Sequence, residues 1–231
     1  MAELFTTALN SDANLKAYWR LEGNSLDETA NNHDGTDTTI TYGTAYGKYG
    51  QGATLNGTSS KIVTATNIGI SGNATFSMGG WVKLGSTSGF RSAISWGNAG
   101  VALQAAGLGC NLNSAGDLGV AFAGGNSAFT AGSLIGTTDR VHIAVTKAAG
   151  AINTQTTLYI NGASVALAGG ASTSTPNITD AVVNLGIFGT GGSNFWSGDL
   201  DDMFIFNRVL TAAEILSLYL GKGGPLFYAQ Y

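Results

Sequence analysis

Apolar residues recur with a period of two along most of the chain, which is the pattern of half-buried strands. Leu15 to Leu21, LKAYWRL, puts Leu15, Ala17, Trp19 and Leu21 on one inward face. Ala74 to Leu84, ATFSMGGWVKL, alternates around Phe76, Met78 and Trp81, and Trp81 is expected in the core. Arg140 to Lys147, RVHIAVTK, sets Val141, Ile143 and Val145 against Arg140, His142 and Ala144. Shorter strands are predicted over Lys61–Ala65, Thr157–Asn161 and Val182–Phe188. Asn56-Gly57 and Asn161-Gly162 are hairpin signals, because both residue types tolerate positive φ. From Arg91 to Phe129 the pattern breaks into ISWG, VALQA and LGVAFA, separated by Gly-rich turns, with Ala115-Gly116-Asp117 as a hairpin tip. Many short strands at hairpin spacing with few helices predict a two-sheet antiparallel sandwich.

The period changes near the end. Ser197 to Leu220 reads SGDLDDMFIFNRVLTAAEILSLYL. A Gly turn at Gly198 precedes an apolar run through Leu200, Met203, Phe204, Ile205 and Phe206, suited to a buried strand. Thr211-Ala212-Ala213-Glu214 is a capping box, flanked by Leu210 and Ile215 as a hydrophobic staple. The short helix it opens stops at Gly221. Beyond it lies an apolar tail with Leu226, Phe227, Tyr228 and Tyr231, predicted to be buried on the domain's own surface or on a neighbouring subunit. At the other end, residues 2–9 predict two helical turns with Leu4, Phe5 and Leu9 on one side.

The order of these segments carries a resemblance. AYWRLEG, then Asp27, Asn31, Asp34, Gly35 and Thr36, then GKYGQGATLNG, ATFSMGGWVKL, RVHIAVTK, TLYING and DLDDMFIFNRVLTAAEI are together similar to the laminin-G-like branch of the concanavalin A-like lectin/glucanase superfamily. Glu28, Thr29 and Ala30 depart from the family's second segment, and in RVHIAVTK Arg140 stands in place of the family's usual Trp-His start, with His142 on its second His. The resemblance covers residues 14–220, with 1–13 as an N-terminal arm or short helix and 221–231 as the tail. It implies an all-β, two-sheet antiparallel jelly-roll sandwich, concanavalin A-like, with one short C-terminal helix and with its first and last strands side by side. Many relatives hold one structural Ca²⁺ near that junction. Here Glu22, Asn24, Asp201 and Asp202 are the oxygen donors that would supply it. The alternative is that these four are surface and turn residues making ordinary hydrogen bonds.

Composition narrows the function. A 231-residue chain suits one large domain that buries its own core, so the single cysteine, Cys110, reads as a small buried side chain. Only 10% of residues are charged, 35 are glycine, and the net charge is −4. Scattered Lys and Arg under a negative balance argue against a nucleic-acid partner. No apolar run approaches the roughly 20 residues of a membrane span. Met1-Ala2-Glu3-Leu4-Phe5 lacks the basic and long apolar regions of a signal peptide.

Candidate chemistry is sparse. Glycoside hydrolysis needs two carboxylates roughly 5–9.5 Å apart across a sugar. None of the four glutamates, Glu3, Glu22, Glu28 and Glu214, has an acidic partner two or four residues along a predicted strand. Catalysis is therefore not expected. Sugar binding needs an aromatic platform with polar neighbours, for which Phe90, Trp96 and Trp196 are the candidates against a core role for each. The expectation is a non-catalytic surface protein of a virus particle, a phage capsid decoration or fibre-associated module serving attachment or assembly. Its partners would be other virion proteins or itself, as an oligomer, and cell-surface glycans. The rival reading is a secreted or cell-surface carbohydrate-binding lectin module.

Overall fold

The computed structural model describes residues 11–189 and 193–221. In chain order the strands begin with β1 (Leu15–Trp19), β2 (Gly35–Thr38), β3 (Thr41–Gly43), β4 (Gly52–Asn56) and β5 (Lys61–Asn67). The middle holds β6 (Phe76–Leu84), β7 (Arg91–Gly97), β8 (Ala105–Cys110), β9 (Leu118–Phe122) and β10 (Asn126–Phe129). Then come β11 (Arg140–Lys147), the one-turn helix α1 (Ile152–Gln155), β12 (Thr156–Ile160), β13 (Ala163–Val165), β14 (Val182–Leu185), β15 (Ser197–Phe206) and helix α2 (Ala212–Tyr219). The eight-stranded sheet runs β13-β12-β11-β6-β15-β4-β3, with β1 also on β15. The seven-stranded sheet runs β10-β9-β8-β7-β14-β5-β2. Every pairing is antiparallel. This is the predicted two-sheet jelly-roll sandwich.

The main core lies between the sheets and follows the period-two pattern. Phe76, Met78, Val82 and Leu84 of β6, Val141, Ile143 and Val145 of β11, and Leu118, Val120 and Phe122 of β9 all point into it. The predicted neighbours meet: β1 pairs with β15, Tyr18 opposite Phe204 and Trp19 opposite Met203. A register irregularity between Leu15 and Ala17 turns Leu15 outward, so only Ala17, Trp19 and Leu21 of the expected inward set reach the main core. Trp81 is buried, but on the far side of its sheet, because it alternates with Val82.

Three local expectations are corrected by topology. Asn56-Gly57 does not close a hairpin: β4 and β5 belong to different sheets, and Asn56 Oδ1 accepts from the backbone N–H groups of Thr58, Ser59 and Ser60 to turn the chain between them. VALQA is mostly turn, and the strand starts at its last residue, Ala105. Val182–Phe188 keeps strand pairing only to Leu185, because the chain bends at Gly186, where φ is +83°. Asn161-Gly162 is a true two-residue hairpin turn, with φ of +51° and +81° between β12 and β13.

Helix α2 lies over the outer face of the eight-stranded sheet, burying Ile215 and Leu218 against Leu15, Tyr18, Tyr159, Phe204 and Phe206. Its capping box is present as predicted: Thr211 Oγ1 accepts from Glu214 N–H, and Glu214 accepts from Thr211 N–H. Leu210, the predicted staple residue, packs in the same cluster as Ile215. Arg208 binds Glu214 at 2.9 Å and Asp12 at 2.8 Å, joining the turn at residues 11–14 to helix α2. Burial pushes the pKa of these two carboxyls up, but the Arg208 guanidinium and backbone donors outweigh it, so both titrate below the ordinary range. The N-terminal arm with Leu4, Phe5 and Leu9, and the tail with Leu226, Phe227, Tyr228 and Tyr231, lie outside the described residues.

A carboxyl whose pKa is lowered by folding stabilises the fold above its unfolded pKa, and that contribution fades as pH falls. Thermal melts from pH 6 to pH 3 should therefore show an acid loss that is smaller in Arg208→Ala than in the parent. At neutral pH, Glu214→Ala should cost on the order of 1–2 kcal/mol, the loss of a cap and a part-buried ion pair. An unchanged denaturant midpoint for Glu214→Ala would contradict this role.

Candidate functional site

The outer face of the seven-stranded sheet is built differently from the outer face that α2 covers. Across β7 to β10, Ser95, Gly107, Ala121 and Ser127 stand side by side in register. The next row is Gly109, Gly119 and Phe129. The alternate residues Leu108, Val120 and Ala128 fill the main core, so these small residues lie on the other side, where the 187–189 segment covers Ser95 and Gly107, Leu112 covers Gly119, and Ala121, Ser127 and Phe129 remain as a floor. Above the floor lies an open groove of about 560 Å³. Phe90 and Phe188 wall one end, packed edge to face with ring centres 5.7 Å apart. Phe129 and the Gly169-Gly170 turn border it elsewhere.

Two of these glycines seat the walls. A Cβ on Gly107 would come within 2.5 Å of the Phe188 ring, and one on Gly119 within 2.6 Å of Leu112. The loop between β8 and β9 is held by Asp117, which is buried. Its carboxylate accepts from the backbone N–H groups of Leu112 at 2.7 Å and of Asn113 and Ser114 at 2.8 Å. That places Leu112 and Asn113 on the groove rim. Asn126 is fixed by donating to Ala123 O and accepting from Ser172 Oγ. The Ser127 hydroxyl and the Asn113 carboxamide make no side-chain hydrogen bond among the described residues, and both face the groove's lining. The site thus combines aromatic rings with uncommitted neutral hydrogen-bonding groups, as sugar sites do.

Of the aromatic candidates read from the sequence, only Phe90 lines this groove. Trp96 is fully buried in the main core; its indole N–H donates to Ile70 O at 3.1 Å and its ring packs edge to face on Phe76. Trp196 is also fully buried in that core. Both lie on the inward side of their segments, where water is excluded, so neither can meet a ligand on the surface. Sequence reading missed Phe188, Asn113, Asn126, Ser127 and Asn194. The available signal was the run of Gly and Ala at alternate positions of β8 and β9, which marks an outer face too small to fill itself.

The acidic candidates gather elsewhere, where β15 changes partner. Its first half pairs with β4, its second with β1, and the register with β6 shifts between Asp201 and Phe204. Asp202 is the extra residue, at φ +49°. Asp201 Oδ2 accepts from Lys48 N–H at 2.5 Å and Tyr49 N–H at 3.2 Å, and Glu22 Oε2 accepts from Gln51 N–H at 3.0 Å. The two carboxylates therefore clamp the GKYGQG loop from below. Asp202 accepts from the Tyr18 hydroxyl. Above the clamp, Lys48 lies 4.6 Å from the Trp81 ring, and Trp81 meets Tyr49, His142 and Tyr219.

The four residues expected to hold calcium each have protein partners here, while Asp201 Oδ1 is buried with no hydrogen-bond partner among the described residues. Asn24 is exposed, with Oδ1 turned to Leu26 N–H in a local turn. Among the described residues no three Asp, Glu, His or Cys side chains converge on one point. The donors instead face backbone N–H groups, a tyrosine and, for Glu22, the Arg20 guanidinium at 3.7 Å. Burial, then the neighbouring Asp202 charge, pushes the Asp201 carboxyl well above the usual carboxylate range, against the pull of its two backbone donors.

Comparison with known proteins now places the fold. A laminin-G family model, described as the concanavalin A-like lectin/glucanases superfamily, matches residues 56–216. The chain belongs to that superfamily. No curated protein matches it significantly. Among solved structures, domain 4 of AbnA, a GH43 extracellular arabinanase from Geobacillus stearothermophilus in complex with arabinotriose, is 23% identical with a TM-score of 0.64. The match covers 89% of this chain and 98% of that one. The binding domain of Paraclostridial Mosquitocidal Protein 1 is 18% identical at a TM-score of 0.63, covering 89% of this chain and 52% of that one. Trypanosoma rangeli sialidase in complex with sialic acid is 15% identical at 0.62, covering 96% of this chain and 37% of that one. At these identities the likeness is one of fold.

Two measurements test the acidic clamp. With its pKa raised by folding, Asp201 holds a proton longer in the native state than in the unfolded one, so its contribution falls as pH rises from about 4 towards neutrality. Asp201→Asn should flatten that decline while keeping an acceptor for the loop. Asp201→Ala should destabilise by about 1–3 kcal/mol, because two loop N–H groups lose their partner. EDTA should leave the melting temperature unchanged; a drop of several degrees, abolished by Asp201→Ala, would restore the calcium reading.

Proposed function

We propose that the protein is a non-catalytic carbohydrate-binding sandwich whose ligand lies in the groove over β9 and β10. The observation that carries this reading is the groove's construction. The small residues Ala121, Ala123, Gly124, Gly125 and Ser127 leave room for a sugar ring, Phe90 and Phe188 supply an apolar wall for its C–H face, and Ser127 and Asn113 have hydrogen-bonding capacity to give. The comparisons support it by analogy: one fold relative is described in complex with arabinotriose, and another is described as a binding domain.

The acidic residues support a binding role over a hydrolytic one. None lines the groove among the described residues. Asp199 is paired with Arg140 at 2.8 Å, Asp201 and Glu22 hold a loop, and Glu214 caps a helix. The virus-particle setting drew on composition and on terminal segments outside the described residues. On that setting the groove serves attachment to a host glycan; on a secreted or cell-surface setting it serves adhesion to a polysaccharide.

Affinity electrophoresis and calorimetry against a panel of soluble glycans test the proposal. Phe90→Ala should weaken binding about tenfold, the loss of one aromatic contact of about 1.4 kcal/mol. No reducing ends should appear on prolonged incubation. Absence of binding to every glycan, or a hydrolysis product lost on mutating a single Asp, would overturn it.

A further inference from the structure

We infer that the groove selects uncharged saccharides and rejects anionic ones, a specificity that rests on the carbohydrate-binding reading above. No Asp, Glu, Lys, Arg or His lines it among the described residues. An acidic sugar entering it would surrender water from its carboxylate and find no cation in return, which is costly in a partly dehydrated site.

The surrounding charges reinforce the selection. Arg91, next in the chain to the wall residue Phe90, is committed to the carbonyls of Ser88, Gly57 and Phe195 at 3.2, 3.2 and 3.0 Å. The backbone N–H groups of the loop between β8 and β9 would otherwise form an anion-binding nest. They already surround the buried Asp117 carboxylate, at 2.7–2.8 Å from Leu112, Asn113 and Ser114. The rim that carries Asn113 therefore offers an internal negative charge in place of free donors, and the chain as a whole carries −4. What remains for a ligand is neutral: an amide, a hydroxyl, ring faces and a floor of small side chains. Such groups recognise sugar hydroxyls and C–H faces.

The test compares neutral probes (arabinan, β-glucan and mannan oligosaccharides) with anionic ones (polygalacturonate and sialyllactose) at 50 mM and 500 mM NaCl. It uses the full chain, Phe90→Ala and Gly169→Trp. Gly169 borders the groove, its Cβ direction meets nothing within 4 Å, and its backbone is not left-handed, so the tryptophan can block the groove without straining the fold. The expected result is binding of at least one neutral probe, with Kd changing less than twofold between the two salt concentrations, no anionic binding, and loss in both variants. Anionic binding that weakens steeply with salt and is lost in both variants would overturn the charge selection while leaving the carbohydrate-binding reading intact. Binding to neither class would overturn both. Neutral binding that both variants retain would remove the groove from both.

Discussion

Strand β15 must keep its apolar side on the core while its neighbour changes from β4 to β1, and one extra residue makes that possible. Leu200 points inward; so do Met203 and Ile205, while Phe204 and Phe206 point outward under α2. Strict alternation would carry Met203 to the outer side, since it lies three residues beyond Leu200. The bulge at Asp202, with its positive φ, absorbs the mismatch. Much of the eight-stranded sheet depends on it. The bulge directs Asp201 up to the GKYGQG loop and Asp202 to Tyr18 of β1, so the partner change is fastened on both sides. Glycines complete the fit: a Cβ on Gly50 would meet Glu22 Oε1 at 2.1 Å.

The consequence is a sandwich with unequal faces. The outer side of the eight-stranded sheet is closed by α2, by the clamped loop and by the aromatic group of Trp81, His142, Phe204 and Tyr219. His142 is so enclosed that burial alone drives its pKa down to about 3, which keeps it neutral and removes it as an acid or base at physiological pH. The outer side of the seven-stranded sheet has no helix over it among the described residues. Its small residues let Phe188 and Leu112 seat close on Gly107 and Gly119, and a groove remains over Ala121 and Ser127. Glu22, Asp199, Asp201, Asp202 and Glu214 have structural partners on the first side, and among the described residues no acid lines the groove on the second.

Strands with strict alternation were legible because two packed sheets impose period two on every strand that spans the core. RVHIAVTK and the inward half of LKAYWRL fall where the pattern puts them, and the capping box, the Asn161-Gly162 turn and the pairing of first and last strands follow from local chemistry or from the family's order of segments. The middle of the chain was poorly legible for the same reason that it matters. Strands β8 and β9 carry Gly and Ala on their outer side, which weakens the alternation signal while creating the groove.

The sequence by itself determined the fold class, the inward faces of strictly alternating strands such as β11, the helix cap and the scarcity of glutamate pairs, because each depends on neighbours a few residues away or on total composition. Tertiary structure alone decided which sheet each strand joined, as at Asn56-Gly57, where a hairpin signal serves a crossing between sheets. It also decided the fates of Trp96, Trp196 and Phe90. All three are large aromatics in similar company, and only the side of the sheet on which each lies separates core from surface. Residues brought together from Phe90 before β7, from the loop after β8, from β9 and β10 and from the loop bearing Phe188 make a site whose members are up to about a hundred positions apart, and no local pattern could have assembled them, since their adjacency is set by strand register.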